Sequence, residues 1–197
     1  MQLKPLTIRP GSLAVNLSLP RSCKAVLAGT LGVVGFAGLT WVGSQIRIPI
    51  GPVPITLQTL FVLLAGALVG SFRGWLSQTL YVTAGSFGLP VFAGTVGGLA
   101  VLSGPTGGYI VGFVVAPLVV GKLISARKGF AWSVFVFTLG SLLILALGVL
   151  HLAFFYTPNL WTAIQVGLLP FLAGDAAKIF AAASIYSSYR RFRSNRR

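Results

Sequence analysis

Acidic side chains are nearly absent: Asp175 is the sole acid among 197 residues. One carboxylate excludes acid–base catalysis by a carboxylate pair. Histidine and cysteine are each represented once, by His151 and Cys23. An intramolecular disulfide is impossible, and no set of residues has the spacing of a metal site. Cys23 reads as an ordinary small residue, and His151 as a hydrogen-bonded packing residue. A serine nucleophile would need an oriented base, and His151 has only Asp175 as a carboxylate partner. A phosphate-binding G-x-x-x-x-G-K-[ST] loop is missing too: Gly121-Lys122 is followed by Leu123, with Ala116 upstream. The chain reads as no enzyme, with no cofactor and no ATP site of its own.

Charge of either sign is scarce. Only 8% of residues are charged, against about 25% in a soluble domain. Hydrophobic residues make up 55%, and mean hydropathy is +0.91. Most of the chain therefore has lipid as its solvent. The net charge of +14 would suggest nucleic acid in a soluble protein. Here the basic residues cluster at the chain ends and at two turns between apolar segments, as membrane orientation demands. The motifs and solvated basic faces of nucleic-acid binders are missing.

A membrane span needs about 20 residues, and the apolar segments divide accordingly. The expected class is an all-α polytopic membrane protein with six transmembrane helices. Residues 1–22 form a basic N-terminal tail, 23–190 the membrane domain, and 191–197 a basic C-terminal tail. The first span covers Cys23 to Gln45. Its small residues, Ala25, Ala28, Gly29 and Gly32 among them, recur at three- and four-residue steps and make a smooth face for another helix. That face packs within the bundle or docks a separate membrane subunit. Pro49, Pro52 and Pro54 with Gly51 then make a stiff loop. Thr56, Gln58 and Thr59 open the second span, which runs to Gly70. Ser71 to Gly74 reads as a tight turn, and the third span runs from Trp75 to Gly88 with Gln78 and Tyr81 on adjacent turns.

Residues 88–108 hold seven glycines and two prolines without a charge. Irregular backbone at membrane depth is tolerated only where it is buried in protein or lines a cavity. This stretch is a packed re-entrant loop or a roof offering bare N–H and C=O groups to a guest. The fourth span follows from Tyr109 to Ser125 and the fifth from Phe130 to Phe155. Residues 161–169 read as a short segment across the bundle. Pro170, favoured in a first helical turn, starts the last span, 170–190. Every basic residue except Arg47 and Lys178 then falls on one side, so both termini are expected in the cytoplasm.

Asp175 and Lys178 lie within that last span, three residues apart and on one helix face. Ionisable groups inside a membrane usually mark a site. Two readings stand. The pair ties the last span into the bundle, or it captures a small guest, Lys178 taking a carboxylate and Asp175 taking N–H donors. Tyr81, Phe92 and Tyr109 would supply flat apolar walls.

Ile48 to Leu60 (Ile-Pro-Ile-Gly-Pro-Val-Pro-Ile-Thr-Leu-Gln-Thr-Leu) resembles the first outer loop and second span of the BioY family. These are the biotin-binding substrate-specific (S) components of energy-coupling-factor (ECF) transporters. Gly88 to Gly94, Gly97-Gly98 and Gly104 to Tyr109 resemble the family's glycine loop. Pro170-Phe171, Gly174-Asp175 and Lys178 resemble its last-span signature. The chain departs at Thr95, where many members have glycine, at Ala176-Ala177, and at Thr83-Ala84. The resemblance implies a multi-pass protein of the bacterial cell membrane. It implies a biotin pocket near the outer surface, with Asp175 and Lys178 on the ligand, the loop around Gly98 packed over it, and Gln58, Tyr81, Phe92 and Tyr109 nearby. It also implies that Ala25, Ala28, Gly29 and Gly32 dock a transmembrane coupling subunit, with paired ATPases driving import. The alternatives are an S component for another vitamin, or a structural membrane subunit without ligand.

Overall fold

The computed structural model describes the backbone of residues 21–195 and the side chains of residues 25–195. The expected tail before Arg21, the Cys23 side chain and the last two arginines lie outside the described residues. Eight helices and one two-stranded ribbon make up the described chain.

Helix α1, Arg21–Gln45, is followed by strands β1, Arg47–Ile48, and β2, Ile55–Thr56. The strands pair antiparallel, Arg47 with Thr56 and Ile48 with Ile55. The proline-rich segment is thus a loop that closes a small hairpin. The prolines fall between the paired residues, so none is required to donate to the ladder.

Helix α2, Gln58–Val69, and helix α3, Ser71–Ser86, meet at Gly70. The reversal is made by Gly70 alone, at φ 93°, a conformation open mainly to glycine. The tight turn expected over Ser71 to Gly74 is instead the first turn of α3. The glycine-rich segment is partly ordered as well. Phe92 bridges Val96, and Ala100–Ser103 form a single turn, α4.

Helix α5 spans Gly107–Leu123 and α6 spans Phe130–Phe155. Beyond them the chain is cut where expected. Helix α7, Leu160–Gly167, is capped by Asn159, whose Oδ1 accepts from the Thr162 N–H at 2.9 Å. A 3₁₀ turn, Leu169–Phe171, carries Pro170 near its start, and α8 follows from Leu172 to Ser194. Because α8 continues past 190, Arg190, Arg191 and Arg193 belong to its last turns rather than to a separate tail.

Among the described residues, three stretches are long and apolar enough to cross a membrane: Ala25–Gln45, Phe130–Phe155 and Leu160–Ser194. Helices α2 and α5 are apolar but shorter. The 12 residues of α2 rise about 18 Å, well under the ~30 Å of a hydrocarbon core.

Glycine sets the helix spacing. A side chain at Gly66 of α2 would strike the backbone of Pro117 and Gly121 in α5. Gly74 of α3 faces the Gly66 backbone, and Gly112 of α5 faces Ile144 of α6. The buried residues form two apolar clusters, one around Tyr81, Phe92, Phe113 and Ile144, the other around Leu63, Val136, Phe137 and Ala182. The first encloses the polar groups considered next.

Overpacking a tight core site costs about 1–3 kcal/mol. Gly66→Val should therefore lower the unfolding temperature in detergent by several degrees. Gly35→Ala, whose added carbon meets nothing within 4 Å, should leave it unchanged or raise it slightly, since alanine favours a helix interior over glycine. Equal behaviour of the two variants in scanning fluorimetry would contradict this account of the packing.

Candidate functional site

Asp175 stands in the first turn of α8, where the helix dipole favours a negative charge. Lys178 follows one turn later, and both are buried. Their ion pair closes at 2.5 Å, Lys178 Nζ to Asp175 Oδ1. The second carboxylate oxygen accepts from Ser141 Oγ of α6 at 2.6 Å. Lys178 Nζ also donates to the Thr56 carbonyl of β2 at 3.1 Å. Two charges therefore join three elements distant in sequence: the hairpin, α6 and α8.

The pair borders a cavity at this end of the bundle. The hairpin contributes Val53, Pro54 and Thr56, and the glycine-rich segment contributes Phe92 and Ala93. Gln58, Tyr81, Tyr109, Asp175 and Lys178 line it too, so these expected residues do converge with Phe92 on one space. Gly98 does not line it. At φ 102° its N–H donates to the Gly85 carbonyl at 2.7 Å, fixing the loop to the end of α3.

The neutral wall is a hydrogen-bonded chain. Thr56 Oγ1 donates to Gln58 Oε1 at 3.0 Å. Gln58 Nε2 donates to the Tyr81 hydroxyl at 2.7 Å, which donates to the Val91 carbonyl at 3.0 Å. Ser44 of α1 donates to the same carbonyl at 2.8 Å. Tyr81 meets Phe92 edge to face, with centroids 5.6 Å apart, and Gly85 leaves the space that the Phe92 ring occupies. Tyr109 donates its hydroxyl to the Gly167 carbonyl at 2.7 Å and lies 6.0 Å from the Phe171 ring. Its hydroxyl is thus committed to α7, and its ring is what it offers the cavity.

The roof is held at its far side. His151 Nε2 lies 3.0 Å from the Gly104 carbonyl, and the Tyr156 hydroxyl donates to the Ser103 carbonyl. His151 is a packing residue that anchors the loop. Thr95 adopts φ 57°, a region costly for a β-branched side chain. A glycine at this position would be free of that strain.

Three contributors escaped the sequence reading of the site. Ser141 is one of several hydroxyls in a long apolar helix, and only the fold shows that it faces Asp175. Thr59 lines the cavity with a buried hydroxyl that has no protein partner. Thr56 supplies a carbonyl, which no sequence signal marks. The small-residue face of α1 is split. Ala25 and Ala28 are exposed, whereas Gly29 abuts the Arg73 guanidinium and Gly32 abuts Val69 of the same chain.

Ligand-like features thus collect at one place. A cavity enclosed by membrane-type helices, roofed by a tethered loop and holding one buried charge pair defines a membrane protein that binds a small solute. Residues 20–195 match the model of the BioY family. The chain is 45% identical over 150 residues to the biotin transporter BioY of Thermotoga maritima, covering 76% of this chain and 88% of that one. It is 43% identical, with the same coverage, to the probable biotin transporter BioY of Pyrococcus horikoshii. The fold matches the crystal structure of the S-component for biotin from an ECF-type ABC transporter, with a TM-score of 0.80 at 26% identity. That match covers 88% of this chain and 95% of the other. The chain belongs to the BioY family.

Removing one partner of a buried ion pair costs about 3–5 kcal/mol, because the other charge is stranded. Asp175→Asn should therefore strongly lower the unfolding temperature of the ligand-free protein. Ser141→Ala, which removes one hydrogen bond to a charged group at about 1.5–3 kcal/mol, should lower it less. An unaltered transition in Asp175→Asn would show that the pair does not hold the bundle together.

Proposed function

We infer that this protein is the substrate-binding S component of a biotin transporter, capturing biotin in the cavity beside Asp175 and Lys178. It is a transport component and not an enzyme, and biotin is its cargo rather than a cofactor. The observation that carries the reading is a buried donor–acceptor pair facing a cavity whose other walls are uncharged, aromatic and aliphatic groups together with the hydroxyls and amide of Thr56, Gln58 and Thr59.

The pair retains capacity for a guest. Lys178 has three N–H donors; one goes to the Thr56 carbonyl, while the ammonium also lies in ionic contact with Asp175. The carboxylate has about four acceptor positions; Ser141 takes one on Oδ2, and Oδ1, against Lys178, accepts no hydrogen bond. A donor and an acceptor 2.5 Å apart match one group that carries both functions. The urea of biotin is such a group: its N–H donates to Asp175 while its carbonyl accepts from Lys178. This spacing favours the urea over the carboxylate as the partner of Lys178. The carboxylate, at the far end of a flexible chain, then stays at the mouth in water. Phe92, Tyr81 and Tyr109 enclose the bicyclic rings, and Thr59 gives its unpartnered hydroxyl to the ligand. Thiamin is a cation and would repel Lys178. Riboflavin is neutral, but it is a wider, three-ring guest.

In the assembled transporter, α1, α2, α3, α5, α6 and α8 serve as six crossings, the shorter ones by local thinning of the bilayer. The basic end lies in the cytoplasm of a bacterial cell and the cavity opens outside. Ala25 and Ala28, exposed on α1, meet the transmembrane coupling subunit, and paired ATPase subunits power release. Gly29 and Gly32 support that face from behind by letting α1 approach α2 and α3.

Calorimetry should show biotin binding in preference to riboflavin and thiamin; no preference would end the assignment. Lys178→Met should weaken biotin and its methyl ester alike. Selective loss of the free acid would return Lys178 to the carboxylate. Thr59→Val should weaken both about three- to tenfold, the worth of one neutral hydrogen bond.

Ala28→Trp should leave biotin binding intact and abolish co-purification with the coupling subunit. Retained association would move the docking face elsewhere.

A further inference from the structure

At the end of the bundle opposite the cavity, a groove runs between the end of α2, the α5–α6 connection and the last turns of α8. Arg127, Lys128, Arg190 and Arg193 line it together with Ser125 and Tyr189. Three of the four cations are held by aromatic groups rather than by acids. The Arg127 guanidinium lies 5.1 Å from the Trp132 ring centroid, and that of Arg190 lies 5.8 Å from the Tyr186 centroid. Arg193 donates to the Tyr189 hydroxyl at 3.5 Å.

Four like charges in one groove repel each other, and no acidic side chain is left to neutralise them. Its one acid, Asp175, is already paired with Lys178. Asp175 also sits fifteen residues before Arg190 on α8, about 22 Å along the axis and far too distant for a direct contact. An anion from outside the chain would relieve the repulsion. The arginines are pre-set by their rings, planar and rich in donors, which suits phosphate oxygens. The groove has apolar walls at Ala67, Leu68 and Ile124 and opens at the end of membrane-spanning helices, where lipid headgroups lie. We propose that this groove is a binding site for the phosphate headgroup of an anionic membrane lipid. The inference requires only that the chain spans a membrane. It does not depend on biotin.

The test is native mass spectrometry of the full chain released from vesicles of equal parts phosphatidylcholine and phosphatidylglycerol. Retained phosphatidylglycerol should exceed phosphatidylcholine by about tenfold or more. Arg127→Gln/Arg190→Gln/Arg193→Gln should lose the excess, with about fivefold lost per cation. Arg73→Gln, at the same end but outside the groove, should keep it. Lys128→Gln/Arg193→Gln, confined to two exposed positions, should lose part of it and serves if the triple variant does not fold. The unfolding transition in scanning fluorimetry, measured in parallel, reports folding. Equal retention of the two lipids, or an excess unchanged in the groove variants, would overturn the proposal. So would displacement by millimolar inorganic phosphate, which would make this a small-anion site.

Discussion

The ion pair between Asp175 and Lys178 governs the layout of the cavity end. A charge placed in apolar surroundings must be compensated, and this chain has one acid with which to do it. Once Asp175 and Lys178 are buried together, their remaining valences demand partners. Ser141 answers for the carboxylate and the Thr56 carbonyl for the ammonium. Helix α8, helix α6 and the hairpin are thereby held in one arrangement. The hairpin in turn places Gln58 at the start of α2, within reach of Tyr81. The polar wall of the cavity is thus a consequence of charge burial, propagated through directional bonds.

Glycine supplies the second constraint, in two distinct ways. In the helices it removes side chains where backbones cross, as at Gly66 against Pro117 and Gly121. In the roof it supplies conformations and close approaches. Gly98 turns at positive φ to reach the Gly85 carbonyl, and Gly85 leaves room for the Phe92 ring. The roof is therefore fastened at several points, to α3 through Gly98, to α1 through Val91 and Ser44, and to α6 through His151 and Gly104. A site fixed by a rigid surround discriminates by shape as well as by charge.

Much of this was legible in the sequence because it rests on rare residues. One acid and one embedded lysine leave few ways to assemble a charge pair, and a glycine-rich stretch without charge leaves few places to go. What stayed hidden depends on partners rather than on composition. Three prolines read as a stiff loop, which they form, but the strand pairing that closes it into a hairpin lies outside them. Ser71 to Gly74 looked like a turn because its residues favour turns, but Gly70 alone reverses the chain. The stripe of small residues on α1 was visible, but not its neighbours. Arg73 and Val69 fill the space beside Gly29 and Gly32, while Ala28 remains open. Thr59 and Ser141 carry hydroxyls of a kind that elsewhere in these helices bond back to their own backbone, as Thr79 and Thr138 do. Only the fold shows that Ser141 reaches Asp175 and that Thr59 lacks a partner.

The two ends of the bundle answer the same scarcity in opposite ways. At the cavity end the single acid is present, so a cation can be buried, and the donor and acceptor left over face the cavity. At the basic end no acid remains, so the cations stay near the surface and lean on aromatic rings, as Arg127 does on Trp132 and Arg190 on Tyr186. Rings attract a cation without neutralising it. Compensation at that end is left to the surroundings, and lipid phosphate is the group proposed for it. A second acid at the basic end would relieve the repulsion from within, and it would leave the count of basic residues, on which membrane orientation depends, unchanged. With the single acid buried at the far end that relief is missing, and the one internal pair borders the cavity instead.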